Sequence, residues 1–434
     1  PGPQTPPPLA AVPCARPGRS RGARLPWTVP VSVLALALFV RLPAALRGHY
    51  YSNDAAEYLL LARSLARGEG FVLPIRVRFT EPASPAVHSA FGERAPLWPL
   101  LLSLPARWAR PHGWPEAWLQ LAGCLLAALA ALLACLLSAD LARRRGLRGR
   151  SLAWAAFLGG ATVAWLPGLL RASLHLWAEP LGLVLLLVAF RHWLGLDAGV
   201  RAGSAPRLLA LTLAAGLARF ARPELWVLVP FFCGLELARG RRRAALVLGV
   251  GFVLLNAVGV AWTGVLAPQL ELFTVRHYTD LMSPAPAPPP SFGEALGGVL
   301  SNAGEFLAYA LTPRRAAFVV PCALFALRAP PARPYLGAAA ACALSPVVVW
   351  STSDPSRFAL APLCLLAPVA AVEALALARR LRRRRRPALA ACFALWFGVL
   401  GYAAARAAHK APTAPGAAPE PWRSALLGPE AQPR

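Results

Sequence analysis

The sequence AWLQLAGCLLAALAALLACLLSADL, which is Ala117–Leu141, decides the fold class. It contains a single charged side chain, Asp140. A helix needs about 20 mostly apolar residues to cross a bilayer, and this stretch exceeds that length. Three arginines, Arg143 to Arg145, follow almost directly. Because arginines are retained on the cytoplasmic side, the stretch predicts a transmembrane helix that ends in the cytoplasm.

Similar apolar runs recur along the chain and predict an all-α, polytopic transmembrane bundle with about eleven spans. Leu208–Ala238 is long enough for two short helices with a bend at Arg222-Pro223, because proline ends or kinks a helix. Phe292–Leu311 fits either a further helix or an amphipathic segment on the membrane. The other predicted spans are Trp27–Ala45, Ser151–Leu170, Leu176–Leu194, Ala244–Leu266, Ala316–Leu327, Tyr335–Trp350, Phe358–Leu377 and Ala388–Ala405.

The composition agrees with a membrane protein. Hydrophobic residues make up 57% of the 434 residues and charged residues 15%, whereas soluble domains average about 45–50% and 25%. This balance argues against a soluble enzyme, a disordered chain and a small disulfide scaffold. The net charge of +26 would suit nucleic acid. However, the arginines cluster between apolar runs, as topology signals do, so we expect membrane lipids and no nucleic acid as partners.

The arginine clusters also orient the bundle. With the N-terminus in the cytoplasm, the clusters near residues 16–24, 143–150, 239–243, 328–333 and 379–386 all fall on the cytoplasmic side. The transmembrane domain then covers 27–405, with outward loops at 48–96 and 267–315. Pro- and Ala-rich segments at 1–26 (cytoplasmic) and 406–434 (outward) are predicted to be disordered. High Arg with a single Lys favours a bacterial plasma (inner) membrane.

The first outward loop holds the most informative polar residues. Asp54 and Glu57 precede an apolar stripe at helical spacing, formed by Leu59, Ala62, Leu65 and Ala66. This pattern predicts a helix that lies against the membrane with Asp54 near its N-terminus and Glu57 on the same face. Asp54 is then either only a helix cap or a general base that removes a proton from an acceptor hydroxyl or amine.

Four motifs, in order, resemble membrane glycosyltransferases of the C superfamily (GT-C), which include protein O-mannosyltransferases and bacterial lipid A aminoarabinose transferases. The first motif is Asp-x-x-x-Tyr from Asp54 to Tyr58, continued by Gly68-Glu69-Gly70-Phe71 and by Pro96-Leu97-Trp98-Pro99-Leu100-Leu101. The others are Ala178-Glu179-Pro180-Leu181, the segment Gly216–Glu224 that ends in Arg222-Pro223-Glu224, and Ser356-Arg357-Phe358 with Pro362.

The resemblance implies an enzyme that takes a sugar from a polyprenyl-phosphate donor on the periplasmic or extracellular face. The sugar passes to a lipid, glycan or protein acceptor by an inverting displacement. By position, Asp54 takes the role of catalytic base, with Glu57 as the nearest second acid. The predicted substrate-binding residues are Tyr58, Arg94, Glu179, Arg222 and Arg357. Many members have adjacent Asp-Glu and a Tyr, where this sequence has Asp54-Ala55 and Phe358. No cofactor is implied, and a divalent metal is not indicated.

Simpler roles for these residues remain open. Arg222 and Arg357 could form salt bridges with Glu224 or Asp354, and Glu179 could only complement a helix dipole. The competing function is a transporter or lipid flippase, which would place ionisable residues at mid-span in repeated halves. The acids here lie at outward ends and in loops, which favours an enzyme. A membrane scaffold would leave the Asp54 loop unexplained.

Overall fold

A computed structural model describes residues 24–46, 53–73, 87–88, 95–108, 116–197, 204–263, 291–312, 332–349 and 355–380, with single residues at 320, 323, 324, 327 and 398. The helices are α1 (Thr28–Ala45), α2 (Asn53–Arg67), α3 (Leu97–Trp108), α4 (Glu116–Arg144), α5 (Arg150–Ala164), α6 (Pro167–Leu174), α7 (Glu179–Asp197), α8 (Ser204–Ala221), α9 (Leu228–Ala238), α10 (Arg242–Thr263), α11 (Phe292–Ala310), α12 (Arg333–Val349), α13 (Pro355–Phe358) and α14 (Leu360–Arg380).

The predicted all-α fold is confirmed over the described residues, and a small antiparallel ribbon is added to it. The two-residue strands β1 (Val72–Leu73) and β2 (Val87–His88) pair within the first predicted outward loop. The same loop carries α2, as predicted, and leads into α3, for which the sequence predicted no span. The rest of the described chain is helical apart from short connections.

Four helices are long and apolar enough to cross a membrane: Leu119–Arg144, Glu179–Leu196, Arg242–Gly259 and Leu360–Arg380. The bent pair α5 and α6 would make a fifth span, and α1 is a shorter apolar helix. These helices make the chain a multi-pass membrane protein, but they do not confirm about eleven spans. Two of the predicted spans, Ala316–Leu327 and Ala388–Ala405, lie outside the described residues except at single positions. The predicted terminal segments 1–26 and 406–434 also lie almost wholly outside them.

The predicted span Ser151–Leu170 is broken, because α5 and α6 meet at a bend of 53°. Pro167 begins α6, and a proline restricts the backbone of the residue before it. Arg41 of α1, which is fully buried, donates from Nη1 to the carbonyl oxygens of Ala37 and Ala164 at 2.9 Å each. Ala164 ends α5, where carbonyl groups lack hydrogen-bond partners within the helix. Arg41 therefore supplies a hydrogen-bond donor to a carbonyl at the end of α5.

The predicted bend at Arg222-Pro223 is confirmed. α8 ends at Ala221, a 3₁₀ helix covers Pro223–Val227, and α9 follows. Arg222 has φ −144° and ψ 111°, which is the extended conformation preferred before proline. Arg222 therefore leaves the helical path at the end of α8.

A second, smaller core fixes the position of α2. The main core joins α1, α4, α5, α7, α8 and α14. The smaller one is formed by side chains of α2 and α3 and by residues at the adjoining ends of α4, α7 and α8, including Leu59, Trp98, Leu119, Leu181 and Ala221. This apolar contact holds the start of α2 over the start of α7.

Candidate active site

The predicted site residues come from four separate segments. Asp54 lies in the first turn of α2, and Glu179 is the first residue of α7. Arg222 follows α8, and Arg357 lies in the short helix α13. The packing of α2 over the end of the bundle brings these segments together.

The four side chains form one continuous set of ion pairs. Arg357 donates from Nη1 to Oδ2 of Asp54 and from Nε to Oε1 of Glu179, the latter at 2.5 Å. Arg222 donates from Nη1 to the same Glu179 oxygen at 2.9 Å and from Nε to Oε1 of Glu224 at 2.7 Å. We call Asp54, Arg357, Glu179, Arg222 and Glu224 the charged cluster.

Asp54 and Arg357 are the two most exposed members of the charged cluster. The side chains of Asp54 and Arg357 are 19% and 16% exposed, whereas those of Glu179, Glu224 and Arg222 are 4%, 9% and 10% exposed. Buried charges are tolerated when they are paired, and Arg222 has a carboxylate on each side. A ligand would therefore reach Asp54 and Arg357 before it reached Arg222.

Each of the two arginines has its guanidinium group close to an aromatic ring. Cζ of Arg357 lies 4.1 Å from the centroid of the Trp177 ring, which is a favourable cation–π distance. Trp177 in turn stacks on His175, with centroids 5.3 Å apart. The ring of Phe358 lies 5.7 Å from Cζ of Arg222. Phe358 thus faces the more buried of the two arginines.

Trp98 explains why the Pro-Leu-Trp-Pro motif accompanies this site. Trp98 is buried on α3, and its Nε1 donates to the carbonyl oxygen of Leu176 at 2.8 Å. Leu176 has φ 54°, a left-handed conformation that costs about 1–3 kcal/mol for a residue with a side chain. Trp98 therefore stabilises the turn that carries Trp177 and starts α7 at Glu179.

The charges around the cluster keep both arginines ionised. Burial alone would lower the pKa of Arg357, but Glu179 and Asp54 more than offset it and raise that pKa. The pKa of Arg222 is raised in the same way, against burial, by Glu179 and Glu224. Tyr58, which is buried beside both guanidinium groups, adds to both increases.

His175 is neutral at physiological pH. Burial, assisted by the positive charges of Arg171 and Arg357, lowers the pKa of its imidazole to about 4. A cationic ring at this position would face the charge of Arg357 at close range. His175 therefore acts in this site as a neutral ring that packs on Trp177.

The structure brings most of the predicted site residues together. Asp54, Glu179, Arg222 and Arg357 share the charged cluster, with Tyr58 beside it. Glu57 is half-buried one turn further along α2. Arg94, and the alternative salt-bridge partner Asp354, lie outside the described residues. Within the part of the chain that the structure describes, no group of three His, Cys, Asp or Glu side chains could hold a metal ion.

Gly182 allows Arg222 to lie against α7. A Cβ atom at this position would lie 2.8 Å from Cγ of Arg222 and 3.2 Å from Cδ1 of Leu225. We expect Gly182→Ala to displace Arg222 from Glu179 and to lower the unfolding temperature, because overpacking costs about 1–3 kcal/mol.

Gly234 in α9 provides the matched control, because a Cβ atom there would meet nothing within 4 Å. Gly234→Ala should leave the unfolding temperature unchanged or raise it slightly, since alanine favours a helix over glycine. Equal unfolding temperatures for the two variants, measured in the same detergent, would contradict the packing role of Gly182.

The comparisons with known proteins agree with the predicted fold. No protein-family model and no curated protein matches the chain. Two crystal structures of ArnT from Cupriavidus metallidurans are similar to it, one bound to undecaprenyl phosphate and one in the apo state. Each is 16% identical with a TM-score of 0.50, and the match covers 88% of this chain and 77% or 76% of the ArnT chain. ArnT is a GT-C aminoarabinose transferase, and over most of its length this chain shares the fold of ArnT.

Proposed function

We propose that the protein is a membrane glycosyltransferase that transfers a sugar from a polyprenyl-phosphate donor to a lipid, glycan or protein acceptor on the non-cytoplasmic face. The observation that carries the proposal is the ion pair between Asp54 and Arg357, the two more exposed members of the charged cluster. It joins a candidate base to a candidate phosphate ligand. The likeness to ArnT bound to undecaprenyl phosphate supports a donor of this class.

In the proposed reaction, an acceptor hydroxyl or amine attacks the anomeric carbon of the sugar from the side opposite the phosphate. Asp54 accepts the proton of the attacking group. The bond between the anomeric carbon and the phosphate oxygen breaks, and its electron pair leaves with polyprenyl phosphate. The configuration of the sugar is inverted, and the proton on Asp54 passes to water before the next cycle.

Arg357 is the better candidate for the phosphate contact. Charge that develops on a leaving phosphate is stabilised by a fixed cation, and Arg357 is the more exposed of the two arginines. The charged cluster has three carboxylates against two guanidinium groups, so a donor phosphate must compete for Arg357. If Nη1 moves from Asp54 to the phosphate, donor binding releases the Asp54 carboxylate to act as a base. Arg222, which was predicted from the sequence as a substrate-binding residue, then has the role of holding Glu179.

The direct test uses the purified protein in liposomes with synthetic short-chain polyprenyl-phosphate sugars and membrane lipid extract as acceptor. Mass spectrometry should detect released polyprenyl phosphate and a new glycosylated product in equal amounts. A fluorescent polyprenyl-phosphate lipid in the same liposomes tests the flippase alternative. Lipid translocation without sugar transfer from any donor would overturn the proposal.

The orientation can be tested by labelling the two ends of the bundle. Glu69 follows α2 and is 47% exposed, and Arg148 is exposed between α4 and α5. We expect Glu69→Cys to react with a membrane-impermeant maleimide in intact cells, and Arg148→Cys to react only after permeabilisation. The unmodified protein gives the background from its eight natural cysteines. The reverse labelling pattern would place the charged cluster on the cytoplasmic face.

A further inference from the structure

A second polar site lies at the opposite end of the bundle. It is a cavity of about 510 Å³, lined by four arginines, Arg143, Arg144, Arg191 and Arg207, together with Asp140 and His192. Its volume lies within the range of about 300–1,000 Å³ that is typical of small-molecule sites. None of these residues takes part in the charged cluster or in the proposed reaction.

Two helices fix the distance between this cavity and the charged cluster. Along α7, Arg191 and Gly195, which line the cavity, follow Glu179 by 12 and 16 residues. At about 1.5 Å per residue, this separation is about 18–24 Å. Along α8, Arg207 and Arg222 are 15 residues apart, which gives about 22 Å. The cavity therefore lies near the other ends of these helices, on the side where the sequence places the arginine clusters.

The cavity is built by contacts that orient its arginines. Asp140 accepts from Nη1 of Arg143 at 2.6 Å and from Nε of Arg191 at 3.1 Å. The carbonyl oxygens of Leu194 and Gly195, in the last turn of α7, accept from Arg144 and from Arg207, the latter at 2.9 Å. Carbonyl groups orient a guanidinium without neutralising it. Among the residues that line the cavity, four guanidinium groups thus accompany one carboxylate.

The arginines are placed differently from simple topology signals. They come from three helices, α4, α7 and α8, and converge on one cavity, whereas a topology signal needs only to lie on the correct side of the membrane. Arg143 and Arg191 are 37% and 41% exposed, so a ligand can reach them. A guanidinium group carries five N–H donors in a planar fork that matches a phosphate group.

We propose that this cavity binds the phosphate group of an anionic phospholipid. Basic pockets between transmembrane helices are known to hold anionic headgroups, and this cavity lies between the ends of three helices. A bound headgroup would connect the ends of α4, α7 and α8. The proposal does not depend on the enzymatic activity.

The test measures lipid binding to the full-length protein in a neutral detergent. We expect short-chain phosphatidylglycerol to bind, and phosphatidylcholine of the same chain length to bind at least tenfold more weakly. In the double variant Arg144→Gln/Arg207→Gln, the Kd for phosphatidylglycerol should rise by about tenfold or more, because two guanidinium groups that can donate charge-assisted hydrogen bonds to the phosphate are lost. The matched control is Arg242→Gln/Arg243→Gln, which removes the same charge from exposed positions of α10 and should change the Kd less than twofold.

Further measurements separate folding, charge and the source of the phosphate. The unfolding temperature of each variant without lipid reports on folding, and Arg191→Gln is a second variant that leaves the α7 carbonyl contacts in place. An unchanged Kd in Arg191→Gln and in the double variant, or an equal loss in the α10 control, would overturn the proposal. Inorganic phosphate and pyrophosphate are added as competitors. If they displace the lipid at equal concentration, the phosphate site is supported but the phospholipid is rejected as its occupant.

Discussion

Asp54→Asn is expected to leave the protein folded and to slow sugar transfer by a factor of about 10²–10⁴, which is the usual contribution of a general base. Asparagine keeps the size of the side chain and can still accept a hydrogen bond from Arg357. It cannot accept the proton of the acceptor. The measurement is the initial rate of product formation in liposomes at equal protein, with the unfolding temperature as a check on folding.

Glu57→Gln is the matched control for this substitution. Glu57 lies one turn further along α2 and is half-buried, so the loss of its charge should slow transfer much less than Asp54→Asn. If Asp54→Asn transfers sugar as fast as the unmodified protein, Asp54 is a structural residue of α2. A larger loss in Glu57→Gln than in Asp54→Asn would identify Glu57 as the base.

Substitution of the two arginines of the charged cluster is expected to affect two different properties. Arg357→Gln should mainly weaken donor binding and transfer, and Arg222→Gln should mainly lower stability. Arg357→Gln removes the more exposed cation, so the Kd for the donor should rise and transfer should fall by about 10²–10³, as for the loss of one group that stabilises a transition-state charge. Arg222→Gln leaves Glu179 and Glu224 buried without their shared cation. Breaking a buried pair in this way costs about 3–5 kcal/mol, so the main effect should be a large drop in unfolding temperature.

The contrast between these variants is the decisive result. Donor binding is measured by titration with a short-chain polyprenyl phosphate, and folding by thermal unfolding in detergent. If Arg222→Gln remains stable and loses donor affinity while Arg357→Gln keeps it, the phosphate contact belongs to Arg222. If both variants keep the donor affinity of the unmodified protein, the donor binds elsewhere on this chain.

Much of the fold could be predicted because single segments carry the information. Ala117–Leu141 is apolar enough to predict a span without any neighbour, and Pro223 predicts the bend after α8. The break between α5 and α6 was missed although Pro167 marks it, because Ser151–Leu170 is long and apolar enough to be predicted as one span. That break depends partly on Arg41, whose contact with Ala164 joins residues 123 positions apart. The β1–β2 ribbon was missed because each strand has only two residues.

The sequence was enough to predict which residues belong to the site, but not which of them form ion pairs with each other. The motifs singled out Asp54, Glu179, Arg222 and Arg357, because charged residues at the ends of apolar runs are conspicuous. Their partners were less visible, since nearness in sequence suggests Glu224 or Asp354 for both arginines. Arg222 does pair with Glu224, whereas Arg357 pairs with residues 178 and 303 positions away. The packing of α2 against the bundle determines which carboxylates Arg357 pairs with, and no local sequence pattern predicts that packing.

The order of the charged cluster along the chain bears on how the protein is made. Glu179 leads a membrane helix, and its first cation, Arg222, follows 43 residues later. These two residues and Glu224 can therefore pair within one helical hairpin while the ribosome is still translating. Asp54 is synthesised far earlier and meets Arg357 only after 303 further residues. A nascent chain that ends before α13 can therefore hold the ion pairs of Arg222 with Glu179 and Glu224, but it cannot yet form the pair between Asp54 and Arg357.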